Sequence, residues 1–576
     1  MKTFRLFSMA ALALAMAACS NNDDNEILQN TQQQGTMHFT ATIAAPSGDA
    51  TTRTVYTEDG TTINVKWKVG DKIALVHNGV VNEAEVKTVD DGTGKATIEA
   101  NITGSPKDND DVYLAYPADA VVSATPYDPL PFTPNTTTFD KVKSQDGTLE
   151  FIQNNLDFRM GSGKLAVSGD KVTLKESVSV SSLICIWKLT LQDESSNALK
   201  ATQLTFKNNT DRQAKATSTG GKSEYYLCVV PSFFPDASGT FSFEATVDSY
   251  TYIFSKTGLN LTAGKYYQST VTMAKLTDLS TISANYEAKN GETLTGTLTN
   301  NVKISIADGA TVTLKDVTIN GVNDIDYKWA GITCLGDATI ILSGTNTVKG
   351  FYEDYPGIQA AAGKTLIING TGSLTASSYA SSYCFAAAIG GGSGVACGDI
   401  EIQGGTITAT SGGLGAGIGG GYNASCGNIT ISGGTVIATG GNNCAGIGGG
   451  YNASWGNITI SGGTVTATGG QYGAGIGGGK RGPASFSCGN IIISGGTVTA
   501  TGGEQAAGIG GGRGNNSSNF SSCGDITITT GVTEVTATKG SDATNSIGAG
   551  YYGTCGTVTI GGNVGAITTS PYTYQP

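Results

Sequence analysis

From Cys397 onward, apolar and polar residues alternate in short bursts that recur along the chain. CGDIEIQGGTITATSGGLGAGIGGGYNAS is followed by CGNITISGGTVIATGGNNCAGIGGGYNAS, and further copies open at Trp455 and Cys488. Within one copy Ile429, Ile431, Val436, Ala438, Ala445 and Ile447 take one side of the alternation, and Thr430, Thr435 and Thr439 take the other. Three strands this short, bent at Gly-Gly and Gly-Gly-Gly corners, cannot bury an apolar face alone, so successive copies must stack. Glycine, threonine and isoleucine dominate, and no stretch has a 3.6-residue period, which excludes strand–helix repeats. The expectation is a parallel β-helix with almost no α-helix. Its corner isoleucine recurs at Ile332, Ile358, Ile389, Ile418, Ile447, Ile476, Ile509 and, in worn form, Ile547. The solenoid is therefore placed at residues 276–576, with extra length confined to Gly/Ser/Asn-rich corner loops.

Residues 36–275 carry a different pattern. Thr36 to Thr42, Ile63 to Val69, Val112 to Tyr116, Ile184 to Trp187, Tyr225 to Val230 and Tyr266 to Met273 read as strands divided by Gly, Pro, Asn and Asp turns. This predicts an all-β sandwich region long enough for two halves, 36–157 and 158–275.

Composition changes the picture in one respect. The 576 residues carry a net charge of -12 with only 14% charged side chains and 83 glycines. Such a surface argues against nucleic acid as a partner and against peripheral binding to anionic lipid. At the start, Lys2 and Arg5 precede an apolar run from Leu6 to Ala17 and then Met-Ala-Ala-Cys19, which resembles the lipobox of bacterial lipoproteins. That resemblance implies a signal peptide over 1–18, acylation of Cys19 and attachment to the outer membrane through the lipid. The run is short for a membrane-spanning helix. Residues 19–35 read as a flexible acidic tether, similar to stretches that send lipoproteins to the cell exterior.

TTRTVY at Thr51 to Tyr56, VKWKVGDKIAL around Trp67 and Asp71, VYLAYPA ending at Ala118, and LTAGKYYQSTVTM together resemble the fimbrillin family of donor-strand pilus subunits. The resemblance covers about 240 residues and implies two transthyretin-like halves, association with other fimbrial subunits, and processing after a basic residue, for which Arg53 is the match. An ordinary exposed arginine at a strand start accounts for Arg53 more simply. The family ends at its last strand, whereas a solenoid follows here, which suits a tip or accessory subunit better than a repeating shaft. The solenoid's GATVTLKDVTING, GDATIILSGTNTV and AGIGGG segments resemble carbohydrate-binding right-handed parallel β-helix proteins. That likeness implies glycan binding without catalysis, in some members with Ca2+.

Cys397, Cys426, Cys488, Cys523 and Cys555 open successive coils at one equivalent place, with Trp455 substituting once. Stacked residues lie roughly 4.8 Å apart, so disulfides between coils are open to them, but the interrupted column reads first as an inert ladder of buried thiols. The chain has two histidines, the later at His77, so neither a zinc site nor a Ser-His-Asp triad is available in the solenoid. Its carboxylates between Cys397 and Cys555 are Asp399, Glu401, Glu504, Asp525, Glu534 and Asp542, and only Asp399 and Glu401 sit close in sequence. A glycosidase needs two facing carboxylates and a lyase needs a basic proton acceptor beside an acidic cluster, so no catalytic residue is assigned and a polysaccharide lyase ranks third.

Three surfaces offer binding chemistry. The first joins Asp324, Asp326, Tyr327 and Trp329 with Phe351, Tyr352, Glu353, Asp354 and Tyr355 on early coils, rings suited to sugar faces beside oxygens suited to sugar hydroxyls. Asp324, Asp326, Glu353 and Asp354 are also the best oxygen set for Ca2+, the one cofactor the chain suggests. Packing of the rings over loop stems accounts for the same residues. The second is the loop after each Gly-Gly-Gly, with Tyr422, Tyr451, Lys480, Arg481, Arg513, Tyr551 and Tyr552 expected to form a column of rings and cations. The third is a plate of outward threonines including Thr406, Thr435, Thr464 and Thr497, which the aptness of threonine for exposed strand positions explains more simply. The expected function is a surface lipoprotein, non-enzymatic, whose β-helix binds a polysaccharide or host glycan in adhesion or glycan capture. A structural or pilus-assembly protein with the solenoid as spacer is the alternative.

Overall fold

The computed structural model describes residues 36–46, the strand backbones at 57–59 and 62–64, and residues 66–126, 130–135, 140–208, 213–233, 240–379, 384–481, 488–516 and 521–576. Residues 1–35, where a signal peptide and a tether with Cys19 are expected, and Arg53 lie outside the described residues. The chain forms two compact units, one from 36–46, Trp67–Asn135 and Arg159–Val180, the other from Thr136–Phe158 and Ser181–Pro576 with 57–59, 62–64 and Lys66.

In the first unit, Met37–Ile43, Ala96–Ile102, Val80–Val89, Lys72–His77, Asp111–Tyr116 and Arg159–Ser168 follow one another across a sheet, and Lys171–Leu174 pairs with both the first and the last of them. The sheet thereby encloses a core that includes Phe39, Trp67, Leu75, Ile98 and Leu114, and a smaller cluster of Ala74, Val76, Ala115 and Phe132 lies on its other face. Residues 159–180, expected in the second half, belong here because Arg159–Lys164 run in antiparallel register with Asp111–Tyr116. The motif residues converge. Trp67 meets Tyr116 edge-on at 5.6 Å and donates its indole N–H to Ala44 O at 3.0 Å, while Asp71 accepts from the Lys68 amide at 2.9 Å and from the Tyr116 hydroxyl at 3.3 Å.

The second unit begins with a sandwich. Glu224–Val229, Cys185–Gln192 and Tyr266–Thr272 form one sheet, and Ala201–Lys207, Gln213–Lys222, Thr240–Val247 and Tyr250–Thr257 belong to another. Trp187 joins them by packing against Phe206 at 5.8 Å and Phe243 at 5.3 Å. The latter sheet does not stop at the sandwich. Tyr250–Thr257 pairs antiparallel with Ala274–Asp278, which pairs parallel with Thr293–Thr297, and that strand pairs with the solenoid strand Ala310–Ile319. At this seam Lys275 lies 3.2 Å from the largely buried Glu292, whose carboxylate also accepts from the Tyr286 hydroxyl at 2.7 Å.

Beyond the seam the alternation does what it predicts. Ile429, Ile431, Val436, Ala438, Ala445 and Ile447 are all fully buried. Each strand pairs in parallel with its equivalent one coil on, Ile429 with Ile458, Val436 with Val465 and Ile447 with Ile476. All eight expected corner isoleucines open strands of a single sheet running from Tyr286–Ala288 to Ile547–Gly548. No α-helix occurs among the described solenoid residues. From Ile389 onward the glycine after the corner isoleucine is demanded by geometry: Gly448 sits at φ +127°, and a Cβ there would drive into the carbonyl oxygen of Gly477 on the next coil.

Two features of the stack go beyond the alternation. The Asx residue of each Cys/Trp-Gly-Asx opening forms a ladder, in which Asp399 Oδ1 accepts the amide of Asn428, Asn428 that of Asn457, Asn457 that of Asn490, Asn490 that of Asp525, and Asp525 that of Thr557, at 2.7–2.9 Å. The cysteine column is not an inert ladder throughout. Cys397 is bonded to Cys426 and Cys523 to Cys555, because neighbouring coils bring their Cα atoms to 4.6 and 4.7 Å. Cys488 stays free, Trp455 occupying the preceding rung. On the final coils Tyr572–Tyr574 pairs antiparallel with Glu534–Thr538 and covers that edge.

Candidate functional site

The loop after each Gly-Gly-Gly corner is held by a repeated backbone bond. The amides of Tyr422, Tyr451, Lys480, Arg513 and Tyr551 donate to the carbonyls of Phe385, Leu414, Asn443, Tyr472 and Gln505, each in the loop that precedes the corner of an earlier coil. A second set, from Asn423, Asn452, Arg481 and Gly514, donates to Tyr451, Lys480, Arg513 and Tyr551 on the next coil. Equivalent side chains therefore stand one above another. The Tyr422 and Tyr451 rings stack 5.6 Å apart with planes 8° from parallel, and Phe385 extends the stack at 5.3 Å from Tyr422. The Lys480 ammonium continues it, 5.7 Å from the Tyr451 ring centre.

Tyr472, outside the expected set, completes the column. It projects from the loop before the corner, with Lys480 Nζ 5.0 Å and Arg513 Cζ 4.7 Å from its ring centre. The sequence signal for it is faint, since of the equivalent loop positions Phe385, Leu414, Asn443, Tyr472 and Gln505 the only other aromatic residue is Phe385. Burial is the main cause, and the Arg513 charge a lesser one, of the lowering of the Lys480 pKa. Tyr551 and Tyr552 pack against each other at 4.3 Å two loops further on.

Arg481 does not join this edge. It is 4% exposed and directs Nη2 to Cys488 Sγ at 2.6 Å, so the side chain after Lys480 points inward where an outward one was expected.

The early-coil loops gather their rings in another way. Trp329 meets Tyr327 at 5.4 Å and Phe351 at 5.9 Å, Phe351 is fully buried, and Tyr327 and Trp329 pack on the solenoid core. This is packing over loop stems, although Tyr352 and Tyr355 remain half-exposed. The carboxylates expected for Ca2+ are not gathered: no group of three or more His, Cys, Asp or Glu able to hold a metal ion occurs among the described residues. Asp324 Oδ1 instead accepts the Asp326 amide at 3.0 Å within its own turn.

The threonine plate is in register. Thr406, Thr435, Thr464 and Thr497 form one row, continued by Glu534, and Thr410, Thr439, Thr468, Thr501 and Thr538 another. Between them Ile437, 42% exposed, breaks the row of Thr408, Thr466, Thr499 and Thr536. The carboxylates between Cys397 and Cys555 are occupied by amide groups: Asp399 and Asp525 in the ladder, Glu401 with Gln403 at 3.3 Å, Glu504 with Gln471 at 2.8 Å, Asp542 with Gln505 at 3.4 Å, and Glu534 with Gln575.

The beta helix repeat family model matches residues 366–393, 400–422, 429–451, 458–480 and 491–513, so four of its five segments finish on Tyr422, Tyr451, Lys480 and Arg513. No curated protein matches the chain. Among solved structures, a fimbrial protein from Bacteroides ovatus is similar at 12% identity and a TM-score of 0.21, covering 41% of this chain and 50% of its own. This chain thus spans half the length of that relative. A fimbrial assembly protein from Parabacteroides distasonis is similar at 11% identity and a TM-score of 0.26, over 41% of this chain and 90% of its own. No helix among the described residues is long and apolar enough to cross a membrane.

Proposed function

We propose that this chain is a surface adhesion protein in which fimbrillin-like domains present a non-catalytic, carbohydrate-binding β-helix, anchored to the outer membrane through Cys19. The observation that carries the reading is the edge column from Phe385 through Tyr422 and Tyr451 to Lys480, Tyr472 and Arg513, held in register over five coils. Along such a stack the ring edges and hydroxyls offer apolar contact and hydrogen bonds to a sugar, and a row several coils long suits a polymer better than a monosaccharide. The early loops, with Tyr352 and Tyr355, are a second, shorter contact.

The full chain, mature from Cys19, is to be screened on a glycan array and on insoluble polysaccharides, with calcium and with chelator. Binding that falls at least tenfold in Tyr422→Ala/Tyr451→Ala, with unfolding unchanged, supports the reading. Binding unaffected by that pair removes the column from it, and no binding at all sinks it. The unbroken sheet from sandwich to solenoid favours a second reading, a stiff spacer among fimbrial subunits, which predicts that empty array.

A further inference from the structure

The column combines two kinds of group, and the cationic half lacks its counterpart. Lys480 and Arg513 share the Tyr472 ring, one at 5.0 Å and the other at 4.7 Å, so two positive charges are held close together on a chain whose net charge is -12. Neither forms an ion pair among the described residues. The carboxylates in the neighbouring loops are held elsewhere, Glu504 by the Gln471 amide and Asp542 by the Gln505 amide. Arg513 Nε is buried without a hydrogen-bond partner. The ring lowers the cost of this arrangement, because its negative face attracts both cations, but it supplies no hydrogen-bond acceptor to the ammonium or the guanidinium fork.

Resting on the glycan-binding reading above, we infer that this edge selects an acidic polysaccharide: the Tyr422–Tyr451 stack contacts the sugar units, and Lys480 and Arg513 take carboxylate or sulfate groups on the same strand. Arginine forks match both oxyanions, and lysine adds a mobile point charge. An acidic protein does not collect polyanions by general attraction, so binding of one requires a local site of this kind.

Two matched pairs of probes separate the charge from the sugar and the carboxylate from the sulfate. Dextran and dextran sulfate share a backbone, as do polygalacturonate and its methyl ester. With the full chain in affinity electrophoresis or calorimetry, at least one charged member is expected to bind about tenfold or more tightly than its neutral partner, the margin shrinking as salt rises. Lys480→Gln is expected to lose about tenfold more on the charged probe than on its neutral partner, with Lys480→Arg retaining the charged ligand. The charged member that wins identifies carboxylate or sulfate as the group recognised. Equal binding of both members of each pair, or full retention of the charged ligand by Lys480→Gln/Arg513→Gln, overturns the inference while leaving glycan binding in place. Failure of every probe, together with an empty array, removes both.

Discussion

Replacing Gly448 by alanine adds one methyl group where two coils touch. At φ +127° an L-residue pays backbone strain of about 1–3 kcal/mol. The new Cβ also has no space, because it falls on the carbonyl oxygen of Gly477, with Ile458 Cδ1 3.2 Å away. Relieving that overlap separates the coils locally, at about 1–3 kcal/mol for an overpacked site. The displaced carbonyl is the acceptor for the Gly449 amide at 2.8 Å, a bond worth about 1 kcal/mol. The sum is roughly 3–7 kcal/mol. Gly309→Ala is the control, since it sits at φ +75° with nothing within 4 Å of the added carbon, so it carries only strain of about 1–2 kcal/mol. Urea unfolding of the full chain, followed by circular dichroism with the slope checked between variants, measures both. Nearest-neighbour interfaces supply most of a solenoid's stability, so the loss should reach the whole stack. If Gly448→Ala loses no more than Gly309→Ala, the coils do not approach one another as described.

Asn457→Ala should cost about 1 kcal/mol by orphaning the Asn490 amide, and Asn457→Asp less than about 0.5, because Asp399 and Asp525 already serve as rungs; equal losses in urea would refute the ladder. Peptide mass spectrometry without reduction should recover Cys397–Cys426 and Cys523–Cys555, and reducing the first, which spans 29 residues, should lower stability by about 3 kcal/mol; a Cys426–Cys488 link would contradict the register. Burial pushes the Cys334 thiol up to about 12, so the stability it contributes is complete below the ordinary thiol range and is lost as pH rises toward that value. The slope is about 1.4 kcal/mol per pH unit. Cys334→Ala should unfold less steeply above pH ~9, and an unchanged alkaline slope would refute the burial.

The solenoid was legible because one physical rule, alternation with period two, governs all of its core positions, and a single slip would turn every isoleucine outward. The threonine rows follow from the same rule. The first unit was less legible: 159–180 read as the opening of a second half, yet Arg159–Lys164 finds its partner in Asp111–Tyr116, a pairing that turn signals do not encode. The Asx ladder was visible in principle at positions 399, 428, 457, 490 and 525, where Asp or Asn always follows Cys-Gly or Trp-Gly. Its meaning needs the coil-to-coil distance, since only then does a side-chain oxygen reach the next amide.

The edge column shows why a repeat predicts position better than orientation. Tyr422, Tyr451, Lys480 and Arg513 share one register position, and the backbone bonds to Phe385, Leu414, Asn443 and Tyr472 keep it through changes of side chain. Arg481 is one residue away, and that single step turns it from the outer edge to the Cys488 sulfur. Tyr472 lies in the loop before the corner, a separate stretch of chain, and reaches the same edge because the corner folds both loops to one side. The coil core sets where a side chain starts, whereas the loops on either side of the glycine corner decide which groups meet. Charge and ring therefore come together at Lys480, Tyr472 and Arg513 through two loops that the repeat leaves free to vary, so a ligand preference there can change without disturbing a core isoleucine.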